Sequence, residues 1–199
     1  MKFPLKKVGI LDYGVGNIAS LKGALEKLGF QVSIGKTESS LSKVDTIFLP
    51  GVGCFSYAME NLRHLKMDKF LRNRFDAQDI NVIGICLGMQ ILFDYSEEGN
   101  TDGLGLIPGQ VKRFTDKECH VGWNIATATQ GTIICGKSGF YFNHSYYVDC
   151  APDVTLATSK YQCEFPVMVK KNKFYGVQFH PEKSQNIGAH LINTLVRED

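Results

Sequence analysis

Apolar residues in the first half of the chain occur in short continuous runs that alternate with segments of helical periodicity. The runs at 8–11, 30–34 and 44–49 are typical of buried strands. The segments 20–28 and 56–75 repeat apolar residues at the spacing of an amphipathic helix. Because predicted strands and helices alternate, this half of the chain is expected to form parallel strand–helix–strand units.

The second half has a different pattern, in which short apolar segments are separated by Gly, Asn, Asp and Pro. A hairpin turn is expected at Lys171-Asn172, and a last helix over about 185–196. We therefore predict an α/β fold with a central, mostly parallel sheet flanked by helices and extended by antiparallel strands. No linker or repeat divides residues 1–199, so one domain is expected. The strands predicted in this half are 110–114, 120–126, 139–142, 146–149, 154–157, 165–169 and 174–179.

The composition is that of an ordinary globular chain, with 44% hydrophobic residues among 199. The formal net charge is only +2, so no nucleic-acid partner is expected. No stretch approaches the length of a membrane span, and the N-terminal apolar run is too short for a signal peptide core. The six cysteines show no paired spacing, which disfavours a disulfide framework and favours a cytoplasmic protein. They are Cys54, Cys86, Cys119, Cys135, Cys150 and Cys163. Cys119 and His120 could suggest a metal, but two adjacent ligands without a second pair make a poor site.

The stretch 81–95 carries the strongest indication of chemistry. A short apolar run ends in the sequence Gly-Ile-Cys-Leu-Gly centred on Cys86, and a helix is predicted to follow over 89–93. Glycines on both sides of a cysteine allow a sharp turn from strand to helix, so that the thiol projects alone. The positive end of the helix dipole would favour the thiolate. Free cysteines are also often buried, so this pattern alone fits a nucleophile and a structural cysteine equally.

A second motif, His180-Pro181-Glu182, follows a strand-like segment near the C-terminus. A cysteine nucleophile needs a base, and the base needs a group that orients it. His180 and Glu182 suit these two roles, and Pro181 fixes the backbone between them. A histidine after a strand is by itself more often structural. The two motifs in one chain favour a cysteine-based catalytic site.

Two glycine-rich turns follow predicted strands and offer an alternative interpretation as phosphate-binding loops. The sequence from Gly14 to Ala19 resembles a dinucleotide-binding fingerprint, but no clear acidic residue ends the second strand. The loop 50–53, Pro-Gly-Val-Gly, lacks the Lys-Ser/Thr that completes a P-loop. It could hold an anion with its N–H groups or simply turn the chain.

Several shorter matches accompany the two catalytic motifs. They lie at 12–17, 50–53, 120–124, 144–147 and 182–185. In this order and over nearly the whole chain, the motifs resemble the class I (triad-type) glutamine amidotransferases. Within that family they are most similar to glutaminase subunits of imidazole glycerol phosphate synthase.

This resemblance implies a catalytic triad of Cys86, His180 and Glu182 that hydrolyses L-glutamine to glutamate and ammonia without a cofactor. Further residues are implied to form the oxyanion hole and the glutamine pocket. For the oxyanion hole these are Gly51, Val52 and Leu87, and for the substrate pocket Gln90, Glu98, Ser145 and Tyr146.

The resemblance also implies a partner, a (β/α)8-barrel cyclase subunit that receives the ammonia in a heterodimer of histidine biosynthesis. Asn17, Trp123 and Lys183 are implied to face it, whereas the sequence alone favours core packing for a lone tryptophan. The chain departs from the family pattern at Cys119 and Gln162, which would suit a glutaminase that supplies a different acceptor enzyme. A non-catalytic subunit that only stabilises its partner is a further alternative, although intact triad residues argue against it.

Overall fold

The structure, a computed structural model, describes residues 6–116, 119–129, 133, 134 and 136–197, so Cys135 lies outside the described residues. Within these ranges the chain forms six α-helices, thirteen strands and two short 3-10 turns. The helices are α1 (Ile18–Lys27), α2 (Glu38–Leu41), α3 (Phe55–His64), α4 (Met67–Ala77), α5 (Leu87–Gln90) and α6 (Gln185–Arg197). The strands are β1 (Lys7–Leu11), β2 (Gln31–Gly35), β3 (Thr46–Gly51), β4 (Asn81–Cys86), β5 (Phe93–Ser96), β6 (Thr101–Asp102), β7 (Ile107–Arg113), β8 (His120–Ala128), β9 (Lys137–His144), β10 (Tyr146–Cys150), β11 (Thr155–Lys160), β12 (Glu164–Lys171) and β13 (Phe174–Val177).

The main sheet has nine strands in the order β2-β1-β3-β4-β13-β12-β11-β8-β9. Strands β1 to β4 and β13 pair in parallel, and β12, β11, β8 and β9 continue the sheet with antiparallel pairings. The predicted α/β architecture is therefore confirmed. Because parallel strands end at the same edge of a sheet, the turns that follow β3, β4 and β13 meet there.

Helices cover both faces of this sheet. Successive residues of β3 alternate between two hydrophobic clusters, with Ile47 and Leu49 in one and Phe48 in the other. Helices α3 and α4 pack into the first cluster, and α1 and α6 pack into the second. The sheet that carries the candidate motifs is therefore packed on both faces.

The structure also has a second, four-stranded sheet in the order β10-β7-β5-β6, which was not predicted. The predicted helix at 89–93 is wrong, since α5 ends at Gln90 and β5 begins at Phe93. Ile91, Leu92 and Phe93 are all fully buried, and such a short apolar run fits helix and strand equally. Pairing of Phe93 with Ile107 in β7 decides for the strand.

The single helix predicted over 56–75 is also wrong, because two helices occupy this segment. Lys66 separates α3 from α4 in a left-handed conformation with φ of 58°. The segment has no Gly or Pro to mark the break. The change of direction lets Leu62 and Met67, on either side of it, both be buried in the same cluster.

Candidate active site

Cys86 is the last residue of β4 and has an unusual positive φ of 54°. Three glycines allow this sharp turn by letting backbones approach closely. A Cβ at Gly84 would lie 2.3 Å from the oxygen of Gly88, and one at Gly88 would lie 1.8 Å from the oxygen of Leu49. A Cβ at Gly51, which pairs with Cys86 across β3 and β4, would lie 2.6 Å from the nitrogen of Gly88. The thiol thus stands on a backbone that only glycine neighbours permit.

His180 and Glu182 lie shortly after the end of β13 and are joined by a hydrogen bond. Nδ1 of His180 lies 2.8 Å from Oε1 of Glu182, and both side chains are almost fully buried. The backbone N–H of His180 donates to the Tyr141 carbonyl at 2.8 Å, and Ser184 Oγ donates to the His180 carbonyl at 2.6 Å. Pro181 begins a short 3-10 turn that brings the Glu182 carboxylate within hydrogen-bond distance of the His180 ring. The base is therefore held by its backbone as well as by its side chain.

The charge of His180 depends on its two neighbours. A carboxylate can only accept, so Nδ1 carries the proton and Nε2 is left as the atom that can exchange a proton with Cys86. Burial lowers the pKa of His180, but hydrogen bonding and charge attraction from Cys86 and Glu182 outweigh burial and raise it to about 9. Nε2 is buried, and although Cys86 is near enough to raise the pKa of His180, the contact between Nε2 and the sulfur falls short of hydrogen-bond geometry. His180 is thus held as the imidazolium at neutral pH, with a proton that it can donate.

A cavity of about 240 Å³ opens beside the Cys86 sulfur and suits a small ligand. It brings together six of the residues expected in the oxyanion hole and substrate pocket, while Gly51 does not line it. His180 and Glu182 border a separate, much smaller cavity. The cavity is lined by Val52, Gly53, Cys86, Leu87, Gln90, Glu98, Cys119, Asn143, His144, Ser145 and Tyr146.

Glu98 provides a carboxylate at the wall of the cavity. Its Oε2 accepts a hydrogen bond from the Phe55 backbone N–H at 3.1 Å. Burial raises the pKa of Glu98, while the Phe55 N–H and the charge of Arg113 act in the opposite direction. A half-buried carboxylate beside a small cavity can pair with the ammonium group of an amino acid.

The sequence analysis missed Gln178, which the structure places against the nucleophile. Gln178 is fully buried, and its Nε2 lies 3.7 Å from the Cys86 sulfur. It stands two residues before His180 and directly after β13, so the alternation of side chains in the strand predicted over 174–179 was the signal that could have found it. His144, which lines the cavity, was missed as well, although it directly precedes Ser145 and Tyr146.

The residues expected at a partner interface lie in two places. Trp123 is 53% exposed, so core packing is wrong for it, and its neighbours Val121 and Ile125 on the same side of β8 are exposed too. The ring centroids of Trp123 and Tyr141 lie 6.4 Å apart in an edge-to-face arrangement. Nζ of Lys183 lies 5.8 Å from the centre of the Tyr141 ring.

The third expected interface residue, Asn17, lies apart from this group. Its side chain accepts from the Ser20 N–H at 3.1 Å and caps α1. It also borders the small cavity beside Val52 and His180. The loop before α1 is therefore next to both the oxyanion loop and the base.

Neither a metal site nor a membrane-spanning helix is found in the described part of the chain. No three or more His, Cys, Asp or Glu side chains there are arranged to hold a metal ion. None of its helices is both long and apolar enough to cross a membrane.

Comparison with known proteins shows what this chain is similar to. A sequence profile of the family Glutamine amidotransferase class-I matches residues 9–197. The imidazole glycerol phosphate synthase subunit HisH of Bacillus velezensis is 39% identical over 203 residues, covering 96% of this chain and 95% of that protein. The protein of the same name from Staphylococcus aureus is 36% identical, covering 94% and 95%. A crystal structure of a glutamine amidotransferase, 20% identical with a TM-score of 0.77 over 95% of this chain and 97% of its own, shares the fold.

Proposed function

The chain belongs to the class-I glutamine amidotransferase family, and from this we propose that it is the glutaminase subunit of an imidazole glycerol phosphate synthase. It releases ammonia from L-glutamine for a cyclase partner in histidine biosynthesis. The observation that carries the proposal is the geometry of the triad. Cys86 stands at a strained turn, the buried Glu182 carboxylate orients His180 at 2.8 Å, and interaction with Cys86 helps to raise the pKa of His180.

The reaction begins when the Cys86 thiolate attacks the side-chain amide carbon of glutamine. Negative charge moves to the amide oxygen, which the backbone N–H groups of Val52 and Leu87 stabilise. Each such donor is worth about 3 to 4 kcal/mol in the transition state. The His180 imidazolium then gives its proton to the amide nitrogen, the carbon–nitrogen bond breaks, and ammonia leaves.

A thioester between Cys86 and the glutamyl group remains, and water completes the reaction. His180, now neutral, removes a proton from the water as it attacks the thioester carbon. Glutamate leaves and the thiolate is restored. Free ammonia would be protonated in bulk water, so direct transfer to the cyclase, a (β/α)8 barrel, preserves its reactivity.

The substrate is held by the far side of the cavity. Glu98 pairs with the α-ammonium group of glutamine, because its carboxylate is half-buried there. Gln90, Ser145 and Tyr146 position the rest of the amino acid. A cytoplasmic location is proposed on the scattered, unpaired cysteines.

The experiment uses the complex with the candidate cyclase and measures its synthesis with either glutamine or ammonia as the nitrogen donor. We expect Cys86→Ala to abolish the glutamine-dependent reaction and to leave the ammonia-dependent reaction intact. Cys150→Ala is the matched control, since Cys150 does not line the cavity. More than trace glutamine-dependent activity in Cys86→Ala would show that another group is the nucleophile.

A further inference from the structure

Gln178 is a buried polar residue that the mechanism above leaves unused. Its side chain is not exposed to solvent. Its Oε1 accepts a hydrogen bond from Gln90 Nε2 at 3.0 Å, and its own Nε2 lies 3.7 Å from the Cys86 sulfur. A buried amide must satisfy its donors and its acceptor from its neighbours. Gln178 therefore links the substrate pocket to the nucleophile.

The main-chain carbonyl of Tyr146 decides which way these amides point. A carbonyl only accepts, so Gln90 must turn its Nε2 toward it, and the two atoms lie 2.9 Å apart. The second hydrogen of that nitrogen then requires an oxygen from Gln178. The NH2 group of Gln178 is left facing the sulfur. The two ends of an amide have nearly the same shape, so this orientation follows from the hydrogen-bond network.

A second chain of hydrogen bonds, through His144, His120 and Asn124, also ends at the Tyr146 carbonyl. Nδ1 of His144 donates to this carbonyl at 2.7 Å, and Nε2 of His144 lies 3.0 Å from Nδ1 of His120. Nε2 of His120 lies 2.9 Å from the side-chain nitrogen of Asn124. Burial lowers the pKa of His120 to about 4 and that of His144 to about 3, so both rings are neutral at neutral pH. Asn124 thus donates to His120, and His120 donates to His144.

We propose that Gln178 is a further catalytic residue, whose side-chain amide donates an N–H to the Cys86 thiolate in a direction fixed by the Tyr146 carbonyl. The inference rests on the proposed function, because it takes Cys86 as the nucleophile. A hydrogen bond to an ionised atom is about twice as strong as one between neutral groups, so it favours thiolate over thiol. Gln178 and His180 together stabilise the sulfur before it attacks.

The test measures the rate at which iodoacetamide alkylates Cys86 in the full-length chain across pH, with each cysteine followed by mass spectrometry. Gln178→Glu keeps the oxygen that accepts a hydrogen bond from Gln90, but it replaces the NH2 group that faces the sulfur by a second oxygen. Gln178→Met keeps the length of the side chain and has no donor. In both variants we expect the rate at mildly acidic pH, divided by the plateau rate at alkaline pH, to fall about tenfold.

This ratio reports how readily the sulfur ionises, independently of how accessible the sulfur is to iodoacetamide. A purely structural change would move the alkaline plateau and leave the ratio as in the wild type. Exposed Cys54 serves as a reference in the same sample, and Gln178→Met, which adds no charge, controls for the repulsion that a carboxylate at position 178 would itself exert on the sulfur. A wild-type ratio in folded Gln178→Glu would overturn the proposal, whatever the Cys86→Ala assay shows.

A second measurement needs no change at Gln178. In an isotope-labelled chain, the side-chain NH2 resonances of Gln178 are followed by NMR. They are expected to shift when Cys86→Ala removes the acceptor, while those of exposed Gln31 stay in place. Unchanged Gln178 resonances in Cys86→Ala would contradict an N–H donated to the sulfur.

Discussion

The charge on His180 is set by groups that touch it. Glu182→Gln replaces the carboxylate by a neutral amide of the same shape, so we expect the pKa of His180 to fall from about 9 toward its ordinary value of 6.5. An NMR titration of the imidazole measures this. Turnover should fall less than in His180→Asn, because the acid orients the base whereas the base moves the proton. An unchanged titration in Glu182→Gln would show that Cys86 alone supports the charge.

The same titration has a consequence for stability. The folded-state pKa of His180 is raised, so the folded chain binds a proton more tightly than the unfolded chain. This contribution is fully present below pH 6.5 and is lost as pH rises through about 9. Urea unfolding of the wild type should therefore show a loss of stability across that window, and Glu182→Gln should show a smaller one. Glu60→Gln, at an exposed position, is expected to behave as the wild type.

At the level of elements, the turn between β4 and α5 depends on close backbone contact with β3. A Cβ at Gly88 would lie 1.8 Å from the Leu49 carbonyl oxygen, which is part of β3 and cannot move away alone. We expect Gly88→Ala to lower the free energy of unfolding by about 3 kcal/mol or more. The urea midpoint followed by circular dichroism measures this change.

Gly23 offers the matched control for this substitution. It lies inside α1, and a Cβ there would meet no atom within 4 Å. Gly23→Ala should therefore raise stability by about 0.5 to 1 kcal/mol, because alanine favours helix. If Gly88→Ala were as stable as the wild type, the close packing of β3 on α5 would not be what shapes the turn.

For the whole molecule, the exposed apolar side of β8 is the surface proposed to meet the cyclase. Trp123→Ala is expected to weaken binding of the partner by about 30-fold, since a central aromatic residue often contributes about 2 kcal/mol. The isolated chain should unfold within about 0.5 kcal/mol of the wild type, because Trp123 is 53% exposed. Calorimetric titration with the purified cyclase measures the affinity.

Ile34→Ala is the control at the opposite end of the main sheet. Ile34 is 45% exposed and lies on β2, whereas β8 is next to the other edge. This variant should bind the cyclase as the wild type does. Equal affinities for wild type and Trp123→Ala would remove β8 from the proposed interface.

Local chemistry was enough to predict several parts of this protein. The runs at β1, β3 and β4 are continuous and apolar, which is what strands buried on both faces require. The glycines beside Cys86 predicted a sharp turn, because no other residue leaves room for it. His180 and Glu182 are two residues apart, so their contact needed only a short turn. These features depend on neighbours in the chain, and the sequence shows such neighbours directly.

Other parts were decided only when distant segments met. Lys66 breaks a helix without Gly or Pro, because burial of side chains on both sides of it outweighs its local preference. β5 exists because β7 pairs with it. Gln178 meets Cys86 across 92 positions of the chain, and Glu98 meets Phe55 across 43. Burial of apolar side chains and hydrogen bonding in the folded core stabilise such contacts, and no pattern local to either segment records them.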